Sequence, residues 1–223
     1  MNCLDSDVTD SHTHLSIGDG SAAEFVAGRD FFGTHPWDCE RFSEDALRNL
    51  LSENETSGVG EIGLDRLKSR SIGPLEREVF EKQLKIAYEY ERPVTLHGAK
   101  CWGQVIAQIR NVEKSFGFRP TFLFHGFSRS DGLIPEIRSL RGFISVGPQI
   151  LNSHAVNYRR MAKSIPLGMI LVETDRTTEN SSTCPRIEEV LFELARLRQM
   201  SPKTLEEITD SNAALFISGR YED

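Results

Sequence analysis

Short apolar segments typical of β-strands alternate with longer amphipathic segments typical of α-helices along almost the whole chain. The strand-like segments end near residues 14, 35, 61, 97, 125, 147 and 175. Successive ends lie 21 to 36 residues apart, which is close to the ~30 residues that one β-α-β unit needs. This alternation predicts an α/β fold, a TIM-like (β/α) barrel with parallel strands and an eighth strand that is irregular or missing. An open, doubly wound sheet is the alternative fold.

The hydrophobic pattern also predicts the individual elements. Strands are expected at residues 8–12, 31–36, 58–61, 93–97, 121–125, 143–146 and 169–175. Helices are expected at residues 43–54, 74–90, 105–116, 133–140, 187–197 and 202–216, with a short helix at 22–27. The unbroken apolar segment near residue 123 indicates a parallel strand that is buried on both faces.

Composition supports one ordinary globular domain over residues 1–223. Hydrophobic residues make up 39% and charged residues 26% of the chain, which is long enough to bury a substantial core. The net charge is −7, so the protein as a whole does not attract nucleic acid. A polyanionic substrate would therefore have to meet a local positive patch.

The sequence favours a cytoplasmic location. The four cysteines are widely scattered and form no C-x-x-C motif, which is typical of free thiols in a reducing compartment. Residues 1–7 are acidic and carry no apolar segment typical of a secretory signal. No apolar run approaches the ~18 residues of a membrane span. We expect no membrane association, and the oligomeric state stays open.

Two histidines, His12 and His14, lie one residue apart at the end of the first predicted strand. Because strand side chains alternate between faces, both imidazoles point to the same side and can bind one metal ion. Such a pair is a weak signal alone, but ligand-type residues also follow four later strands: Glu61, His97, His125 and Asp175. The carboxyl ends of barrel strands converge on one face, where barrel enzymes keep their active sites.

Four imidazoles and two carboxylates are more ligands than one tetrahedral ion takes. They suit two divalent metal ions ~3.5–4 Å apart with a bridging carboxylate. The mixed nitrogen and oxygen ligands admit Zn, Mn, Mg, Ni or Fe. Taken singly, each residue also fits a hydrogen-bonded core histidine, a salt-bridged carboxylate or a helix cap. Their joint occurrence favours the metal, because burying six polar groups at one barrel mouth is otherwise costly.

The segment GVGEIG at 58–63 matches the G-x-G-x-x-G motif of dinucleotide-binding folds. A polar segment precedes it instead of an apolar strand, and the carboxylate of Glu61 would repel a pyrophosphate. We therefore interpret the segment as a strand that ends near Glu61.

Six segments together resemble the TatD family of metal-dependent deoxyribonucleases, a branch of the amidohydrolase superfamily. They are DSHTHL at 10–15, GTHPW at 33–37, GEIGLD at 60–65, PVTLH at 93–97, FHGFS at 124–128 and VETD at 172–175. The segment TDSNA at 209–213 resembles the closing Asn motif of that family. The resemblance covers nearly the whole chain, in the order that the family has.

The resemblance implies a TIM-like barrel that hydrolyses phosphodiester bonds of DNA, typically trimming from the 3′ end. It implies two divalent metal ions held by His12, His14, Glu61, His97, His125 and Asp175. Glu61 would bridge the ions, and Asp175 would orient the attacking water and accept its proton. The implied catalytic residues are thus Asp175 and Glu61.

Candidate substrate contacts follow the strand ends: His35, Trp37, Lys100, Arg129 and Arg176. His35 could contact a phosphate, and Trp37 could stack on a base, since such stacking is worth ~1–3 kcal/mol per base on single strands. Packing of Trp37 against the barrel rim is the alternative, as is ordinary surface charge for the three cationic residues.

The chain departs from the TatD pattern after its final Glu-Thr-Asp. The family continues with Ser-Pro-Tyr-Leu and a basic loop, whereas this chain has the shorter RTTENSSTCP at 176–185. A small amide, ester or phosphoester is therefore the alternative substrate for the same barrel and metals. A binding protein without activity would be expected to lose a metal ligand, and none is lost in this sequence.

Overall fold

The computed structural model describes residues 8–16, 23–68, 70–128, 131–178, 180 and 182–221. Within them the strands are β1 (Asp10–Thr13), β2 (Glu24–Val26), β3 (Phe31–Phe32), β4 (Gly58–Gly63), β5 (Val94–His97), β6 (Phe122–Phe124), β7 (Gly142–Val146) and β8 (Ile170–Val172). The α-helices are α1 (Glu44–Glu53), α2 (Pro74–Glu89), α3 (Trp102–Glu113), α4 (Ile134–Ser139), α5 (Val156–Ser164), α6 (Ile187–Arg198) and α7 (Pro202–Ile217). No helix in the described ranges is long and apolar enough to cross a membrane.

The strands run parallel and follow one another in chain order. β1 pairs with β2, and β3 to β8 form a second sheet in which each strand pairs with the next. Backbone contacts join the two sheets at both ends. Ala27, just after β2, forms a parallel bridge with Phe31 of β3. His14, just after β1, donates its N–H to the carbonyl of Arg176, beyond β8, at 2.9 Å. This arrangement confirms the predicted TIM-like α/β fold.

The predicted short helix at 22–27 is wrong in the part that the structure describes, since residues 24–26 form β2. Phe25 packs its ring against Phe31 and Phe216 at centroid distances of 6.1 and 6.3 Å. These tertiary contacts outweigh the helical preference of the alanines around it. β2 is also the additional strand that the sequence pattern did not show, and it lies near the N-terminus instead of near the last helices.

Helix α7 covers the end of the barrel where the strands begin. Phe216 lies in a buried cluster with Phe31, Leu123, Phe143, Leu171 and Ala213. Its carbonyl accepts a hydrogen bond from the Thr121 hydroxyl at 2.8 Å, and the Asn212 amide donates to the carbonyl of Ile170 at 2.8 Å. The strand starts are thereby closed with apolar packing, which leaves the opposite, carboxyl end for chemistry.

The glycines of β4 serve close packing against β5. A Cβ atom on Gly60 would lie 2.8 Å from the Thr95 Cβ, and one on Gly63 would overlap the carbonyl oxygen of His97. The segment 58–63 is thus a strand interior and no phosphate-binding loop. The close approach brings the side chain of His97 next to that of Glu61.

Candidate metal centre

The carboxylate of Glu61 lies at the centre of a cluster of imidazoles at the carboxyl ends of the strands. Its Oε1 atom lies 2.6 Å from His97 Nδ1 and 2.6 Å from His125 Nε2. Its Oε2 atom lies 3.5 Å from His12 Nε2 and 3.3 Å from His14 Nε2. Each oxygen therefore faces one pair of imidazoles, which is the arrangement needed by a carboxylate shared between two ions.

Asp175 approaches the cluster from the side of β8. Its Oδ1 atom lies 3.6 Å from His14 Nε2 and 3.9 Å from His12 Nε2. Its backbone N–H donates to the carbonyl of His12 at 3.1 Å, which fixes this end of β8 against β1. Among the residues that the structure describes, three groups of side chains could hold a metal ion: His12 with Glu61 and His125, His12 with His14 and Asp175, and His35 with Glu61 and His97.

Burial and charge act in opposite directions on the two most buried members of the cluster. Burial alone would raise the pKa of Glu61, but the charge of His125 and the surrounding imidazoles hold that pKa well below its usual range. Burial alone would lower the pKa of His125, but Glu61 and Glu173 hold it well above its usual range. Glu61 is therefore an anion at neutral pH, ready to face a cation.

The pKa values of the more accessible side chains in the cluster also depart from their ordinary values. Burial raises the pKa of Asp175, and nearby imidazoles offset only part of that effect. The hydrogen bond to Glu61 raises the pKa of His14, while burial lowers the pKa of His35 to about 4. His35 is therefore neutral at neutral pH, and Asp175 is a stronger base than an ordinary aspartate.

The structure tests whether these residues fit a metal. The Nε2 atom of His12 and the Nδ1 atom of His125 are buried without a hydrogen-bond partner among the described residues. A buried polar atom without a partner is costly, and Nε2 of His12 points at Glu61. A cation between these groups would satisfy the orphaned nitrogen, so the donor set fits a divalent ion with nitrogen and oxygen ligands.

An open cavity of about 590 Å³ leads to the cluster. Its lining includes His14, His35, Trp37, Glu61 and Asp175. No lysine or arginine is present among the described residues that line it. Among the described lining residues, the groups that could carry positive charge are therefore the imidazoles.

Two of the predicted substrate contacts line this cavity: His35, just before the short 3-10 helix at Pro36–Arg41, and Trp37, within that helix. The backbone N–H of Trp37 donates to His35 Nδ1 at 3.1 Å, so the proton of the neutral ring lies on Nε2, which is 3.8 Å from Glu61 Oε1. The Trp37 side chain is 52% exposed and lies edge-on to the His35 ring. Both side chains are therefore available to a ligand in the cavity.

Two of the three cationic residues expected to contact substrate lie outside the lining of this cavity. Lys100 and Arg176 are not part of the cavity lining, and Arg176 reaches toward the carbonyl of Pro185, with its Nη2 atom 3.5 Å away. Arg129 lies outside the described residues. A role of these three residues in binding substrate stays a prediction.

Two carboxylates that the sequence did not single out hold the histidines in place. Asp65 accepts a hydrogen bond from Nε2 of His97 at 2.8 Å. Glu173 accepts hydrogen bonds from the backbone of Gly126 at 2.7 Å and from the Ser145 hydroxyl at 2.5 Å, and its Oε2 atom lies 3.7 Å from Nδ1 of His125. In the sequence each lies within two residues of a predicted metal ligand or of the strand that carries one, inside the segments GEIGLD at 60–65 and VETD at 172–175.

Gln83 of α2 fixes the backbone of the segment that bears His35. This amide side chain is completely buried. Its Oε1 atom accepts from the N–H of Thr34 at 2.6 Å, and its Nε2 atom donates to the carbonyl of Thr34 at 3.1 Å. The side chain of Gln83 thus pairs both the backbone N–H and the backbone carbonyl of Thr34, as a neighbouring β-strand would.

Comparison with known proteins gives a consistent result. Residues 22–218 match the family described as TatD related DNase. The chain is 25% identical over 210 residues to the Bacillus subtilis (strain 168) protein "Uncharacterized metal-dependent hydrolase YabD", covering 86% of this chain and 80% of that protein. It is 27% identical over 199 residues to the Edwardsiella piscicida "3'-5' ssDNA/RNA exonuclease TatD", covering 81% of this chain and 74% of that protein.

A solved structure has the same fold. The crystal structure of YJJV, a TatD homologue from Escherichia coli K12, superposes with a TM-score of 0.78 at 21% sequence identity. The match covers 96% of this chain and 98% of that chain. The barrel architecture is therefore shared over nearly the full length of both chains.

Proposed function

Because this chain belongs to the family of TatD-related DNases and is a metal-dependent hydrolase, we propose that it hydrolyses phosphodiester bonds at the 3′ end of single-stranded DNA. The observation that carries the proposal is the position of Glu61, whose two oxygens each face a pair of imidazoles. Together with these imidazoles, Glu61 would hold two divalent metal ions. A protein related to this chain is named as an exonuclease of single-stranded DNA and RNA, which supports the nucleic-acid substrate.

The proposed metal ligands divide into two sets that share Glu61. His12, His14 and Asp175 form one group of candidate ligand atoms. His97 and His125 approach the other oxygen of Glu61. When bound, the ions would lower the pKa of a water and withdraw charge from the phosphoryl oxygens. The ligand chemistry admits Zn, Mn, Mg, Ni or Fe.

The chain's own residues would then position the substrate and move a proton. Asp175 is half-buried at the cavity, and burial raises the pKa of its carboxyl group. A base with a raised pKa accepts a proton from the attacking water more readily. His35 presents its Nε2–H toward the same centre and stays neutral, so it would donate a hydrogen bond to a phosphoryl oxygen.

The remaining predictions extend this proposal. Trp37 would contact a base at the mouth of the cavity, and Lys100, Arg129 and Arg176 would meet phosphates beyond it. The free thiols of Cys39 and Cys184 support a cytoplasmic location. A small amide, ester or phosphoester is the alternative substrate, favoured by the absence of lysine and arginine among the described residues that line the cavity.

The test is a nuclease assay on protein that has been stripped with a chelator and reloaded with one metal at a time. With single-stranded DNA labelled at its 5′ end, we expect products that shorten progressively from the 3′ end. Asp175→Asn should lower kcat by roughly 10²–10⁴-fold, the usual contribution of a general base. Glu61→Gln should lower both the activity and the bound metal, measured by elemental analysis.

Glu78→Gln is the matched control, because Glu78 is an exposed carboxylate on α2 paired with Lys82. It should leave the rate and the metal content unchanged. DNA cleavage that persists in both Asp175→Asn and Glu61→Gln would contradict the site. Turnover of a small phosphodiester or ester without cleavage of DNA would favour the alternative substrate.

A further inference from the structure

A second cavity lies beside the metal centre and is separated from it by one tryptophan. Its volume is about 550 Å³, which is within the ~300–1,000 Å³ range of small-ligand sites. Trp37 and Asp38 line both cavities. The two cavities therefore adjoin at Trp37 and Asp38.

The ammonium group of Lys68 lies over one face of the Trp37 indole. The Nζ atom of Lys68 lies 5.2 Å from the centre of the Trp37 ring, within the range of a cation–π contact. The backbone of Lys68 donates to Asp65 Oδ1 at 2.8 Å, and Asp65 also accepts from His97. The backbone of Lys68 is thus anchored to the same carboxylate that contacts His97.

The lining of the second cavity suits a base better than a phosphate. Its described lining residues include the carboxylates of Asp38, Glu40 and Glu76 and one cation, Arg41. Arg41 is already paired with Asp38 at 3.3 Å. The apolar side chain of Leu75 is 45% exposed there. An anionic phosphate would be repelled, whereas a flat neutral ring could stack on Trp37 and pack on Leu75.

We propose that Trp37, Lys68 and the second cavity form a subsite for the nucleotide that precedes the scissile one, with its base on Trp37 and its phosphate at Lys68. This inference rests on the proposed nuclease function. A small ester has no such preceding nucleotide and could not occupy the subsite in this way. Proteins bind single-stranded nucleic acid by stacking bases on aromatic side chains and by placing cations near the phosphates. The subsite would add a cation beside the first cavity, whose described lining residues include no lysine or arginine.

The two tryptophans of the chain provide a direct readout. Trp37 is 52% exposed, whereas Trp102 is 2% exposed and packs on Phe124 and Phe127. The probe is a short oligothymidylate with phosphorothioate linkages, added in the presence of a chelator so that binding is measured without turnover. We expect it to quench the emission of the wild-type protein and of Trp102→Phe, because Trp37 remains in both.

Substitutions separate the base from the phosphate. Trp37→Ala should weaken oligothymidylate binding by about 5- to 100-fold, the equivalent of one lost stack, and Trp37→Phe should restore most of it. Lys68→Gln should weaken binding and reduce its dependence on salt. Lys203→Gln is the matched control, because Lys203 is exposed at the start of α7. An abasic oligomer with the same number of phosphates should bind more weakly and quench little.

The outcomes distinguish this subsite from the proposed function. Oligothymidylate binding that is unchanged in Trp37→Ala and Lys68→Gln would overturn the subsite, even if the metal-loaded protein cleaves DNA. Quenching by the abasic oligomer equal to that by oligothymidylate would also overturn it. Loss of binding in these variants, in a protein that cleaves no DNA with any metal, would show that Trp37 and Lys68 bind single-stranded nucleic acid and would refute the nuclease function.

Discussion

The carboxylate of Asp65 determines which nitrogen of His97 faces Glu61. Asp65 accepts from Nε2–H of His97, which leaves Nδ1 directed at Glu61 Oε1. The other oxygen of Asp65 accepts from the backbone of Leu67 and Lys68. Metal-ligating histidines commonly depend on such a carboxylate for their tautomer and orientation. Asp65 is thus a positioning residue for His97.

We therefore predict that Asp65→Asn weakens metal binding by about 10–100-fold. The asparagine oxygen would keep the backbone hydrogen bonds, so its NH₂ group would face His97 and require Nε2 as an acceptor. The ring proton would then move to Nδ1, the atom needed for the metal. Isothermal titration with metal measures the effect, and Asp45→Asn at an exposed position of α1 is the control. Equal metal affinity in both variants would contradict the role of Asp65.

At the scale of single residues, the sequence predicted which side chains meet but not what holds them. His12, Glu61, His125 and Asp175 could be grouped because each lies at the end of an apolar strand, and the structure brings them together. Their role as metal ligands stays a prediction. Asp65 and Glu173 could not be assigned, because a carboxylate that orients a histidine is defined by a distance across two strands. Sequence spacing contains no such distance.

At the scale of elements, α2 holds the loop that leads from β3 into the cavity. Gln83 makes two hydrogen bonds to the backbone of Thr34, the residue before His35. Gln83→Met keeps the length of the side chain but removes both bonds, which leaves partly buried backbone groups of Thr34 unpaired. We expect a loss of roughly 1–3 kcal/mol in the free energy of unfolding. We also expect a higher KM for oligonucleotide, because His35 and Trp37 lose their fixed position.

Urea unfolding and steady-state kinetics measure the two effects separately. The matched control is Gln108→Met, which removes a glutamine hydrogen bond to the carbonyl of Arg77 between α2 and α3, away from the loop. That variant should lose some stability with KM unchanged. A Gln83→Met protein with unaltered KM would show that the amide stabilises the fold without positioning the loop.

Helices α5 and α6 are joined by an ion pair whose strength depends on pH. Glu193 lies 2.6 Å from Arg159 of α5 and 2.7 Å from Arg196 of its own helix. Its hydrogen bond from Arg196, together with Arg159, lowers the pKa of Glu193 to about 2 from the ordinary 4.5. Because the pKa is lower in the folded state, this stabilisation is complete above pH 4.5 and is lost as the pH falls toward about 2.

Glu193→Gln should therefore lower the free energy of unfolding at neutral pH by roughly 0.2–1 kcal/mol, as for other pairs near the surface. The difference from wild type should shrink progressively below pH 4.5. Chemical denaturation over a range of pH measures it, with Glu207→Gln at an exposed site of α7 as the control. A difference that stays constant down to acid pH would exclude the ion pair as its cause.

Comparison of the predicted and observed strands and helices shows which elements a sequence pattern can predict. Strands such as β4 and β6 and helices such as α2 were predicted within a few residues, because each is long or strongly apolar. The short β2 was predicted as part of a helix, because a three-residue strand is determined by its packing on Phe31 and Phe216 and has no periodicity of its own. Helix α5 was not predicted, since its nine residues carry few apolar side chains.

At the scale of the whole molecule, the order of the strands followed from their regular alternation with helices, because parallel neighbours require crossover connections. The junction between β8 and β1 could not be derived in this way. It depends on long-range contacts such as that between Asp10 and Thr174, whose hydroxyl donates to the Asp10 carboxylate at 2.6 Å. The single domain over residues 1–223 stays a prediction, and the matched family covers residues 22–218.

The same long-range geometry makes a prediction about the stability of the whole protein. The proposed ligands come from β1, β4, β5 and the segments after β6 and β8, so bound metal would connect strands that lie far apart in the sequence. The unfolded chain cannot bring these groups together. Metal that binds only the folded state adds about 2.7 kcal/mol at a concentration 100 times its Kd. The melting temperature should therefore be roughly 5–10 °C higher in excess metal than in chelator.

His97→Gln should lose most of this rise, whereas His154→Gln, at an exposed site outside the cluster, should keep it. An equal rise in both variants would mean that the metal stabilises the protein from some other site, and the barrel mouth would no longer be its binding place.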